Sequence, residues 1–145
     1  MLDLSPVSSI AHTIQLAVTP VFLLTGVGAI LAVLTNRLGR IIDRARVLHT
    51  RLDTLVGEGA APLRAELQSL GERGRYIQWA IGLSTLSALL ICVVVAVLFL
   101  AEFTAVNLIV PIAWTFVAAM SALFLALLSF LREIFLATAH VRIGL

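Results

Sequence analysis

Three apolar stretches, each long enough to cross a bilayer, take up most of this chain: Leu16–Leu34, Ile77–Ala101 and Leu108–Leu131 contain no charged residue. A hydrocarbon core about 30 Å thick needs roughly 20 helical residues. Lipid offers no partner for a free backbone N–H or C=O, so an uninterrupted apolar segment of this length has to be a helix. The expected fold class is therefore an all-α membrane protein with three transmembrane helices. Composition agrees, since 61% hydrophobic against 12% charged residues reverses what a soluble surface requires. Three helices and one connecting arm leave too little of the 145 residues for a separate catalytic domain.

Orientation follows from the basic residues, which are all arginine. Arg37, Arg40, Arg44, Arg46, Arg51, Arg64, Arg73 and Arg75 fall between the first and second spans, and Arg132 and Arg142 follow the third. The flanks Met1–Ser9 and Glu102–Asn107 have none. By the positive-inside rule the N-terminus is expected outside, the arm in the cytoplasm, the short second loop outside and the C-terminus inside. A GC-rich genome explains the exclusive use of arginine without any mechanism; a preference for bidentate phosphate contacts is the alternative. The start MLDLSPVSSIAHTIQ carries Asp3 but no arginine, so it lacks the positive region of a secretory leader and the first span is expected to be retained. The expected organisation is one membrane domain, residues 1–145. Its parts are a first span over about 10–35, a cytoplasmic hairpin over 36–76, a second span over about 77–101, a third over about 108–131, and an interfacial tail over 132–145.

The arm has a heptad seam. Leu34, Leu38, Ile41, Ala45, Leu48, Leu52 and Leu55 are spaced 4-3-4-3-4-3, with no Pro or Gly pair between them and the first span. Span one is thus expected to run on as one helix, projecting about 31 Å beyond the membrane. Gly57-Glu58-Gly59-Ala60-Ala61-Pro62 breaks it, with Pro62 placed to start the next helix. Leu63, Leu67, Leu70, Gly74 and Ile77 then resume the spacing into span two. Two such seams joined by a turn predict an antiparallel, coiled-coil-like hairpin, or seams that pack on a neighbouring subunit. The return leg holds Gly71 and Gly74, where a bend near the membrane is expected.

Small residues mark helix contacts in lipid. Ala80, Ser84, Ala88, Cys92 and Ala96 form a strict four-residue ridge on span two, which favours a right-handed close crossing. Thr115, Ala119, Ala122, Ala126 and Ser129 follow 4-3-4-3 on span three, which favours a left-handed one. Span one adds Thr25, Gly28 and Ala32. A contact face on every span predicts a homo-oligomer. Cys92 has no partner for a disulfide and reads as a small packing residue.

Polar groups at membrane depth are the natural site candidates. His12, Gln15 and Thr19 share one stripe of span one, continued inward by Gly26, Ile30 and Val33. Pro20 and Pro111 each remove a backbone donor and free a carbonyl one turn earlier. In a ring of subunits this stripe would line a narrow pore, with Gln15 and Thr19 as a constriction and His12 at the mouth. In a non-conducting protein the same groups would bond to neighbouring helices. The arm offers a second set: Arg37, Arg40, Asp43 and Arg44 form either a charged ring at a cytoplasmic mouth or contacts to anionic lipid headgroups. Asp43 lies three residues from both Arg40 and Arg46, within salt-bridge reach. Glu102, Arg132 and Glu133 read as ordinary flanking charges.

His12, His49 and His140 are scattered, without ligand spacing to any carboxylate or Cys, and no phosphate loop or nucleophile elbow is present. No enzyme and no cofactor are expected. Tyr76 and Trp79 are the only aromatic residues near the basic arm, and acids are interspersed, which argues against nucleic acid. The expected partners are membrane lipids, further copies of the chain and, for a pore, ions.

The pieces IAHTIQLAVTPVFLL and LTNRLGRIIDRAR, within Ile10–Leu48, resemble a family of small bacterial membrane proteins known as domain of unknown function 2721. The resemblance implies a three-span protein of the bacterial cytoplasmic membrane and brings no activity, substrate or cofactor. It draws attention to His12, Gln15, Pro20, Asn36, Arg37, Arg40, Asp43 and Arg44. Two function classes remain: a homo-oligomeric ion-conducting pore lined by span one, and a non-conducting accessory or scaffold subunit that uses its arginine-rich arm to bind a partner or lipid.

Overall fold

The structure, a computed structural model, describes residues 5–54 and 59–143, with side chains as far as Ala139. Three helices account for nearly all of it: α1 Ser5–Thr54, α2 Ala60–Thr104 and α3 Ile109–Ile143. Each contains a segment long and apolar enough to span a membrane. No strand occurs among the described residues.

Helix ends follow local chemistry. α1 continues through Pro20 and out of the apolar segment without a break. Leu55, Val56, Gly57 and Glu58, part of the expected seam and breaker, lie outside the described residues. Pro62 sits in the first turn of α2, where its missing N–H would have had no intrahelical partner. α2 stops at Ala105, whose φ of 54° is left-handed. The Ala105 N–H still reaches the carbonyl of Ala101 at 3.1 Å, an αL cap made without glycine. Asn107 then opens α3 by accepting the Ile109 N–H on Oδ1 at 3.2 Å. Residues 132–143 continue α3 without interruption, so the expected interfacial tail is not a separate element. The side chains of His140, Val141, Arg142 and Ile143, and residues 144–145, lie outside the described set.

The chain forms two compact units. The first comprises Met1–Ile30 and Leu83–Phe124. Its core is built from Ala17, Val27, Ile91, Val94, Ala119 and Leu123. Small side chains let the backbones approach, and the Ser87 hydroxyl donates across to the carbonyl of Ala119 at 2.8 Å. Phe22, Phe103, Ile109 and Trp114 point outward. A surface this apolar suits lipid and not water.

The second unit comprises Leu31–Gly82 and Leu125–Leu145. Leu34, Ile41 and Leu48 of α1 are buried, and Leu38, Ala45 and Leu52 are half-buried, so every described position of the predicted seam turns inward. The two legs run antiparallel, with Arg44 against Glu66 and Leu38 and Ile41 against Gly74. α2 is one continuous helix through Gly71 and Gly74.

Within the single chain, the buried faces of α1 and α2 differ from two of the small-residue stripes. Thr25, Gly28 and Ala32 are all exposed, and the inward side of α1 instead follows Thr13, Pro20, Val27 and Leu34 at intervals of seven. On α2, Ala80 and Ser84 are buried and Ala88 half-buried, but Cys92 and Ala96 are exposed. A strict four-residue ridge precesses about 40° per step around a helix of 3.6 residues per turn. The buried positions Ser84, Ser87, Ile91 and Val94 keep to a 3-4-3 alternation instead.

At Gly74 a methyl group would meet Ile41 Cγ2 at 3.7 Å and Leu38 Cδ1 at 4.0 Å, ordinary van der Waals separations. The substitution Gly74→Ala should therefore stabilise the hairpin by about 0.5–1 kcal/mol through helix propensity and added contact. Thermal unfolding in one detergent would show it as a raised midpoint; a lowered midpoint would mean that the legs lie closer than described.

Candidate functional site

The 4-3-4-3 ridge of α3 (Thr115, Ala119, Ala122, Ala126, Ser129) gains one further step at Glu133. This residue is 0% exposed. A carboxylate without water is costly unless its oxygens are taken by cations. Both are. Arg37 of α1 gives Nε and Nη2 to Oε2 at 3.0 and 2.8 Å. Arg73 of α2 gives Nε and Nη2 to Oε1 at 3.1 and 3.0 Å. One carboxylate thus accepts three N–H hydrogen bonds and one further ion contact, from Arg37 Nη2, and joins three helices. The Arg37 guanidinium also lies 5.5 Å from the ring centre of Phe130, one turn before Glu133.

Beside this tie a cleft of about 210 Å³ opens between the hairpin legs, lined by Arg37, Arg40, Arg44 and Arg73 with Ile41 and Leu70. Arg44 is held by Glu66, with Nε and Nη2 both 3.1 Å from Oε1. That pair is 48% and 35% exposed, so it contributes under about 1 kcal/mol. Arg40 is exposed and forms no ion pair among the described residues. Asp43 likewise forms none, so the expected bridges to Arg40 and Arg46 are not made. Exposed pairs at that spacing gain little over hydration. Of the four arm candidates, then, the structure brings Arg37, Arg40 and Arg44 to one cleft and leaves Asp43 outside its lining.

The span-one candidates belong to the first unit. His12, Gln15, Thr19 and Gly26 are all exposed. His12 borders a hollow of about 500 Å³ together with Thr13, Glu102 and Asn107. Gln15 and Thr19 border another of about 490 Å³, whose remaining walls are apolar, including Pro20, Leu98 and Phe116. Nothing lies within 4 Å of a methyl built on Gly26. The polar contacts fall to their neighbours: Ser9 donates to Glu102 Oε1, and Thr13 Oγ1 lies 3.1 Å from Glu102 Oε2. Ser84 Oγ is buried and finds no partner.

Sequence reading missed the roles of Arg73, Glu102 and Glu133. For Glu133 a signal existed, because extending the small-residue ridge by four from Ser129 lands on it. A carboxylate at a contact position needs cations, and Arg37 and Arg73 flank the two apolar segments.

The architecture is that of a small multi-pass membrane protein whose second unit is tied by a buried ionic knot. The family model described as protein of unknown function (DUF2721) matches residues 17–143, and the chain belongs to that family. No curated protein and no solved structure matches it.

Removing one cation should cost more than removing an exposed one. Arg73→Gln leaves the buried carboxylate half-compensated and is expected to lower stability by about 2–4 kcal/mol. Arg75→Gln, two residues on and exposed, should change it by no more than about 0.5 kcal/mol. Chemical unfolding of both variants in the same micelle checks the difference; equal losses would remove the knot from the account.

Proposed function

We propose that the protein is a non-conducting scaffold or accessory subunit of the bacterial cytoplasmic membrane, and that its arginine-rich hairpin is the recognition surface. The arginine count on the segment between the first two apolar stretches supports a cytoplasmic hairpin, with the N-terminus outside and the C-terminus inside, by the positive-inside rule. The observation that carries this reading is the division of labour among the arginines. Two are spent on Glu133 and hold three helices together, while Arg40 stands open beside them. A rigid base with an uncompensated cationic rim suits the docking of something anionic. Of the polar groups near the apolar segments, Thr13 and Ser9 serve Glu102, and Ser87 serves a backbone carbonyl. The proposed role needs neither catalysis nor a cofactor.

A second reading has its own observation. His12, Gln15, Thr19 and Gly26 are exposed on α1 of a single chain, as residues lining the axis of a homo-oligomeric pore would have to be. The two readings separate in one experiment. Purified protein is weighed by native mass spectrometry and then reconstituted into liposomes for ion flux, with Thr19→Leu alongside. The scaffold reading expects no flux above protein-free vesicles. Flux from a ring of copies that Thr19→Leu abolishes would replace it with the pore.

A further inference from the structure

We infer that the cleft formed by Arg37, Arg40, Arg44 and Arg73 is a binding site for a phosphomonoester dianion, carried in the first instance by an anionic lipid headgroup. The inference deepens the scaffold reading and rests on it for the role of the hairpin as a recognition surface.

Charge is the first argument. Four guanidinium groups line the cleft, and two carboxylates, Glu66 and Glu133, bind them. Two positive charges are left over. A phosphomonoester carries about −1.5 to −2 at neutral pH, which matches that excess. A phosphodiester carries a single charge and leaves half of it unmet.

Donor geometry is the second. Arg37, Arg44 and Arg73 each turn the Nε and Nη2 side of the guanidinium to a carboxylate. Each thereby keeps its Nη1 N–H groups free of any acceptor among the described residues, and Arg40 keeps its whole fork. Guanidinium groups bind phosphate oxygens through paired N–H donors, and here the existing carboxylates fix the planes beforehand. Arg37 and Arg73 are only 33% and 22% exposed, so little side-chain freedom remains to be lost on binding. Ile41 and Leu70, on the cleft wall, are both buried. Of the nearby acids, Asp43 and Glu72 are exposed and do not line the cleft.

Depth is the third. Arg37 follows Leu34 by three residues and Arg73 precedes Ile77 by four, which places both about 5–6 Å beyond the apolar ends. Headgroups occupy roughly the next 5–7 Å on each side of the hydrocarbon. Arg40 and Arg44 stand about 9 and 15 Å out, so the Arg37 and Arg73 end of the cleft lies at headgroup depth and its Arg40 and Arg44 end extends beyond it.

The test titrates the purified full chain in neutral detergent with short-chain phosphatidic acid, phosphatidylglycerol and phosphatidylcholine, and separately with glycerol phosphate. The thermal midpoint reports binding. Phosphatidic acid should half-saturate at about tenfold lower concentration than phosphatidylglycerol, and lower still than phosphatidylcholine. Arg40→Gln, which breaks no ion pair among the described residues, should weaken phosphatidic acid by about tenfold, and Arg51→Gln on the same helix outside the cleft should not. Glycerol phosphate binding as tightly as the lipid would support the same site with a soluble ligand as its occupant. Equal response to phosphatidic acid and phosphatidylglycerol, or equal loss in Arg40→Gln and Arg51→Gln, would overturn the site. Ion flux bears on the scaffold reading alone, so the two can fail separately.

Discussion

One buried carboxylate organises the second unit. Glu133 lies at a helix contact with no solvent exposure, and only cations from both other helices make that position tolerable. Lipid supplies no hydrophobic drive between helices, so packing of small residues and polar contacts must hold them. An ionic contact that brings two guanidinium groups onto the two oxygens of one carboxylate supplies direction as well as attraction. It fixes the rotation of α1, α2 and α3 about their axes within the unit, because each contributing residue sits beside an inward seam.

The knot also explains why the arm arginines are not equivalent. Arg37 and Arg73 are structural, Arg44 is tied to Glu66 at the surface, and Arg40 is exposed without an ion pair among the described residues. Had all four been paired, the hairpin would be a neutral strut. Had none been, mutual repulsion of four cations across a narrow cleft would spread the legs. The intermediate case holds the legs together and retains net positive charge on one wall, and this combination supports a recognition role.

Much of the architecture was legible from spacing alone. Length and apolarity gave three helices, and the 4-3 alternation from Leu34 to Leu52 falls on buried and half-buried positions of α1. The ridge on α3 was legible for the same reason. The buried face of α2 within the chain was not legible from its ridge, because Ala80, Ser84, Ala88, Cys92 and Ala96 are evenly spaced in sequence but not on one face of a 3.6-residue helix; Ser87, one of the residues that bonds across, is off that ridge. Glu133 was hidden by its setting: next to Arg132 at the end of an apolar run, it has the appearance of an interfacial charge. Its partners are 96 and 60 residues away in the chain, and nothing local announces a pairing at that distance. Asp43 failed in the opposite sense, since proximity in sequence to two arginines gave no bond.

The most direct test of the knot is a double-mutant cycle on Glu133→Gln and Arg73→Gln, measured by reversible chemical unfolding in one lipid–detergent mixture. If the two side chains act on one another as described, the double variant should be little worse than either single one, with a coupling of about 1–3 kcal/mol. Losses that add, within about 0.5 kcal/mol, would mean that the carboxylate and the guanidinium contribute separately, and the ionic knot would not be what holds the three helices.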